Sequence, residues 1–247
     1  MHSRTWLVLF GLLVAGTAHA DGTNRFALEM SGVRYGLVVL KTTATAQLVF
    51  STQDVAPPLV ALVGTFAQGK PVKKDVRLSS GAVVRKANDA RLASVRLPAL
   101  GSGGVADVEL AFVAAPLATQ PLLSASELPP LLATARITGF RLDVNGMKPI
   151  EAPKLDAITL AQKADGTTTA GEIAFEAAAG GAPPFAGWQK SNGGHPPTRT
   201  VRIQYVGAEG SAILELQLEH CRPTAVLPMG ASGTTRITLA CVSVIPT

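Results

Sequence analysis

The sequence is poor in side chains that carry out chemistry. Beyond residue 20 its only histidines are His195 and His220, and neither falls in an H-E-x-x-H or C-x-x-C metal pattern. There is no G-x-S-x-G elbow and no phosphate loop, and Gly101-Ser102-Gly103-Gly104 reads as a turn between two strands. The acids Asp143, Glu151, Asp156, Glu172 and Glu176 are the only pool for a glycosidase-type carboxylate pair, and scattered surface acids are the default reading. No catalytic, cofactor-binding or metal-binding residue is therefore expected. Aromatics are only 5% of the chain, and Tyr35, Trp188 and Tyr205 are few for a carbohydrate platform. The basic residues Lys70, Lys73, Lys74, Arg77, Arg85 and Lys86 lack interleaved aromatics and read as a solvated face, so no nucleic-acid partner is expected. Two cysteines cannot make a disulfide-dense miniprotein, and no apolar run after Asp21 is long enough to span a membrane as a helix.

What is present is enough chain, 247 residues and 47% hydrophobic, for one or two packed domains. Arg4, the apolar stretch from Trp6 to Ala15 and Ala18-His19-Ala20 have the form of a cleavable leader over 1–20, which implies a periplasmic or secreted protein. The remainder reads as strands at 25–31, 37–40, 47–51, 60–66, 76–78, 92–97, 105–113, 137–144, 155–162, 172–176, 200–206, 213–220 and 235–245, separated by Gly, Pro, Asp or Asn turns. Short helices are expected within 124–136, where Ser126 can cap Glu127-Leu128-Pro129-Pro130, and at 184–188. The fold class is mainly β, an antiparallel barrel or sandwich with short helices.

In an oxidising compartment the pair Cys221 and Cys241 reads first as a disulfide, with two buried thiols as the alternative. Strict alternation puts Cys221 on the face opposite Leu214, Leu216 and Leu218, so a bridge requires a strand end or a bulge there. A metal set of His220, Cys221 and Cys241 likewise requires irregular backbone, because adjacent strand residues point to opposite faces.

Two segments recur. Phe26-Ala27-Leu28-Glu29-Met30-Ser31-Gly32-Val33 matches Phe140-Arg141-Leu142-Asp143-Val144-Asn145-Gly146-Met147 at an offset of 114, and 108–113 matches 237–242 at an offset of 129. This points to a tandem duplication, although strands entering Gly turns also resemble one another without common descent. The expected divisions are a leader 1–20, a first barrel or sandwich domain 21–116, a Pro/Leu/Ser linker 117–135 and a second domain 136–247.

Arg25 to Val33 with Tyr35-Gly36-Leu37 resembles the opening of phage tail-tube-like proteins. Leu155 to Leu160, the Trp-bearing segment Phe185 to Trp188, and the closing strands 200–206, 213–220 and 235–242 around Pro223 are similar to that family's middle and end. The resemblance implies a barrel with a small helix, related to the tubes of contractile tails and type VI secretion, whose subunits assemble into rings. Three duplicated chains would give pseudo-sixfold symmetry, and a hexamer or a complex with another protein are the other arrangements. The chain departs from that family in carrying a leader and two halves. Arg34, Tyr35, Trp188, Arg202 and Tyr205 are the candidate assembly residues, each with a core or packing role as its alternative. The expected function is that of an exported, non-enzymatic structural or interaction protein. A module holding a small apolar ligand is the second reading, and a hydrolase the third.

Overall fold

The computed structural model describes residues 25–42, 47–80, 83–101, 106–114, 117–121, 132–148, 150, 152–163, 165–230 and 233–246. The expected leader and most of the expected helix within 124–136 lie outside the described residues, and 132–136 is non-helical, with Ala135 bridged to Val55. The fold is mainly β, with antiparallel strands arranged in two sheets and two short α-helices among the described residues.

The first half contains β1 (Arg25–Met30), β2 (Val33–Thr42), β3 (Gln47–Thr52), α1 (Pro57–Ala67), β4 (Lys73–Ser80), β5 (Val83–Leu97), β6 (Val108–Val113) and β7 (Ala118–Pro121). Pairings run β4-β1-β2-β3-β6, and β5 joins β6 back to β4, so six strands close into a ring. Closure satisfies the edge groups that an open sheet leaves unpaired. Inside lie Leu28, Met30, Phe50, Leu78, Leu92 and Phe112, all at most 1% exposed. Burying side chains of this size stabilises by about 1.5–3 kcal/mol each.

The apolar run at 60–66, read from sequence as a strand, is helical. Pro57 and Pro58 occupy the first helical positions, where a fixed φ and a missing N–H cost nothing, and Leu59, Leu62, Val63 and Phe66 recur at helical spacing on the buried face.

The second half contains β8 (Gly139–Val144), β9 (Lys154–Leu155), β10 (Ile158–Gln162), β11 (Thr168–Ala170), β12 (Ile173–Ala177), α2 (Ala182–Gly194), β13 (Arg199–Val206), β14 (Ala212–Pro228), β15 (Thr235–Ala240) and β16 (Ser243–Pro246). Its pairing order, β8-β13-β14-β15-β12-β9 with β16 on β14, follows that of β1-β4-β5-β6-β3-β2 with β7 on β5. Details recur as well. Glu29 faces Arg77 across β1 and β4, as Asp143 faces Arg202 across β8 and β13. The Ser31 amide donates to Asp75 O at 3.0 Å, and the Asn145 amide to Thr200 O at 2.9 Å. The 26–33 and 140–147 segments thus hold corresponding places. In the other matched pair the register differs, because Leu239 rather than Cys241 takes the place of Phe112 opposite the preceding long strand.

A bulge in β14 resolves the position of Cys221. Arg199 stands opposite Cys221 and Val201 opposite Leu218, so β14 uses one residue more than β13, and His220 takes φ 53°. Alternation is reset, Cys221 turns into the core, and its sulfur bonds that of Cys241 just past the end of β15. The bulge has a counterpart in β5, where Lys74 is opposite Ala90, Val76 is opposite Ala87 and Asp89 has φ 51°. With both sulfurs bonded, the metal set of His220, Cys221 and Cys241 is not formed.

Replacing both cysteines by alanine removes a cross-link over a sequence separation of 20. The loss expected from chain entropy is about 3 kcal/mol. Thermal unfolding of the double variant should show a lowered midpoint, and thiol titration of the unreduced, denatured protein should find no free thiol.

Candidate functional site

The two halves part where β8 ends. In the first half, Ser31 (φ 49°) and Gly32 (φ 82°) make a two-residue hairpin turn that lays β2 antiparallel along β1. In the corresponding turn after β8 only Gly146 (φ 76°) is left-handed, and the Met147 amide donates to Val144 O at 2.9 Å. Such a turn, with positive φ at its third residue alone, splays the flanking strands. Arg199 pins it: Nη1 donates to Asn145 O at 2.6 Å, and the guanidinium lies 5.3 Å over the Trp188 ring. The positive φ of Gly146 favours glycine, and a Cβ there would sit 2.7 Å from that Nη1 and displace the guanidinium from its place over the turn.

The chain that leaves this turn is taken up by the first barrel. Leu155 exchanges two backbone hydrogen bonds with Leu100, at 2.8 and 2.9 Å, and Ile158 to Ala161 pair with the Leu97 to Ser94 stretch of β5. The crossing is close, since a Cβ on Gly101 would lie 1.9 Å from Pro153 O. The β10–β11 hairpin is tied to α1 by the Thr168 hydroxyl donating to Phe66 O at 2.6 Å and by Gln162 Nε2 donating to Gly69 O at 2.9 Å. These bonds satisfy carbonyls at and just beyond the end of α1. Lys154 and Leu155, with the Asp156 amide donating to Ala174 O at 2.8 Å, are the short stretch that remains beside β12, where β2 runs along β3 in the first half.

As a result, β8 is paired on one side only among the described residues, with β13. Asn145 bonds toward β13, so by strand alternation the peptide groups of Phe140 and Leu142 face the open side. That side is a groove of two adjoining hollows. One, of about 490 Å³, is lined by Phe140, Leu142, Ile150, Ala152 and Pro153 together with Arg141 and Asp143. The other, of about 690 Å³, is bounded by Met147, Lys148, Pro184, Phe185 and Arg199. Arg199 Nε is buried there without a hydrogen-bond partner. The walls are apolar, and the rim carries Lys148 and Arg199 against Asp143, because the Arg141 guanidinium lies at the β13–β14 turn, with Nη2 3.2 Å from where a Cβ on Gly210 would sit.

Of the residues singled out from sequence, Asp143 lines the groove, and the others lie elsewhere or serve packing. Tyr35 is buried on β2, and burial pushes its phenol pKa up. Tyr205 is fully buried on β13 with its hydroxyl unpartnered, and desolvation raises its pKa strongly. Trp188 is buried in α2, where Nε1 donates to Pro197 O at 2.7 Å and the ring supports Arg199. Arg202 is bound by both oxygens of Glu215, whose hydrogen bonds raise the guanidinium pKa. Arg34 is half-buried on β2, across from Glu29. Among the acids, Asp156 pairs with Arg236 and Glu176 with Lys154 at 3.1 Å, while Glu151 is outside the described residues. Among the described residues no three His, Cys, Asp or Glu side chains cluster as metal ligands. The groove itself was not foreseen. Its trace in the sequence is the match of 140–147 to 26–33 followed by a segment that ceases to match β2.

No protein-family model and no curated protein matches the sequence.

Tyr205 generates a pH prediction. A phenol whose folded pKa is raised favours folding below its unfolded pKa of 10.0, and that contribution is lost as pH rises beyond it. Absorbance at 295 nm should show no Tyr205 phenolate until the protein unfolds above pH 10. Tyr205→Phe should remove this part of the alkaline destabilisation. At neutral pH it should leave stability unchanged or raise it by about 1 kcal/mol, because an unsatisfied buried hydroxyl is deleted.

Proposed function

We propose that the protein is a non-enzymatic interaction protein of the periplasm or extracellular space, built on a duplicated barrel and working by holding protein. The observation that carries this reading is the second half's strand edge, unpaired among the described residues, beside an apolar groove, in a chain whose first half closes the same arrangement. A backbone edge offers hydrogen bonds and the groove offers apolar area, the two contributions that strand-mediated association uses. The charged pairs named above are dispersed as ion pairs and do not converge on the groove, which supports binding over turnover. The disulfide suits an oxidising compartment.

The tail-tube resemblance supplies one form of this reading, a ring in which copies pair edge to edge, with three chains giving pseudo-sixfold symmetry. The hollow of about 690 Å³ walled by Met147, Pro184 and Phe185 favours a second reading, retention of a small apolar ligand. Light scattering coupled to size exclusion over a hundredfold concentration range, with native mass spectrometry of the same sample, separates the two. Concentration-dependent mass or a retained protein is expected. A strictly monomeric protein carrying a stoichiometric small molecule would overturn the interaction reading in favour of the second.

A further inference from the structure

We infer that the groove beside β8 is a docking site for one extended segment of a partner protein, which adds to β8 as an antiparallel strand and takes the place β2 holds in the first half. This deepens the interaction reading and rests on it. The first half is the template. There Phe26, Leu28 and Met30 pair with Val38, Gly36 and Val33 of β2, and the corresponding residues of β8 are Phe140, Leu142 and Val144. The occupant is therefore a strand of about six residues, with apolar side chains entering the groove at alternate positions and a small residue opposite Leu142, as Gly36 is opposite Leu28.

Charge sets its chemistry further. Asp143 flanks the strand edge, while Lys148 and Arg199 stand at the turn end with Arg199 Nε unpartnered. The surplus of positive charge favours a segment bearing carboxylates at its ends. The β2 strand itself, with Arg34 and Lys41, has the right shape and the wrong charge for this rim.

A synthetic peptide with the sequence of residues 33–42, carrying glutamate in place of Arg34 and Lys41, is the probe. Titrated into the intact protein, it should shift the amide resonances of residues 139–147 and bind about fivefold or more tightly than the unaltered peptide at low salt. The difference should shrink as salt is added. A Lys148→Glu protein should lose that preference while still binding. The same probe N-methylated at alternate residues on its pairing edge keeps its side chains but cannot donate to β8, and should not bind. Equal binding of the N-methylated peptide, shifts confined to surfaces away from β8, or no binding of either peptide would each overturn the proposal. Because the probe leaves the protein unaltered, misfolding cannot mimic a negative result. Failure here alongside concentration-dependent self-association would reject the strand site and leave the interaction reading standing.

Discussion

The pairing of β5 is the constraint from which the rest of this structure follows. A strand has two edges, yet β5 serves β4, β6, β7 and β10, because its fifteen residues are long enough for different segments to meet different partners. β7 pairs the first segment, before the bulge at Asp89, β4 runs along that segment and across the bulge to Arg91, and the later segment pairs β6 and β10. Joining β6 to β4 closes the first barrel. Taking β10 as well draws in chain that follows β8, and the second barrel is left without the strand that would complete it.

Closed and open barrels in one chain divide the labour physically. The first half has its β1 and β2 edges consumed, and its interior is filled by fully buried aliphatic and aromatic side chains. The second half keeps a comparably buried core of Phe175, Phe185, Ile203, Leu218 and Leu239, so the open seam does not come from poor packing. It comes from the turn after β8, where Gly146, Arg199 and Trp188 interlock to send the chain away. The disulfide holds β14 to β15 at the bulge, stabilising the side of the second barrel opposite in pairing order to the seam.

Much of this fold was legible in the sequence, and the exceptions have specific causes. Strand alternation and Gly turns were readable at β1, β3, β8, β12 and β13, and the likeness of 26–33 to 140–147 coincides with corresponding places in the two sheets. The requirement for a strand end or a bulge at Cys221 followed from alternation alone, although nothing about a histidine announces φ of 53°. Helix α1 was missed because its β-branched and apolar residues form a nearly continuous run that suits a buried strand equally well, and the Pro57-Pro58 start was the discriminating signal. The groove was not legible, because whether Ile158 to Ala161 pairs within its own half or with β5 is decided by turn geometry and by competition between two sheets. Alternation is the same in either case. Tyr35, Trp188 and Tyr205 drew notice as rare aromatics, and their rarity reflects core packing.

The central claim is that β8, paired on one side only among the described residues, keeps an open edge where β1 does not, and amide hydrogen exchange resolved by residue tests it most directly. The account predicts slow exchange at Phe26, Leu28, Arg141 and Asp143, whose amides are bonded within a sheet, and exchange faster by orders of magnitude at Phe140 and Leu142. Comparable protection of Phe140 and Leu142 in the isolated protein would mean that the seam is closed, and would contradict the account.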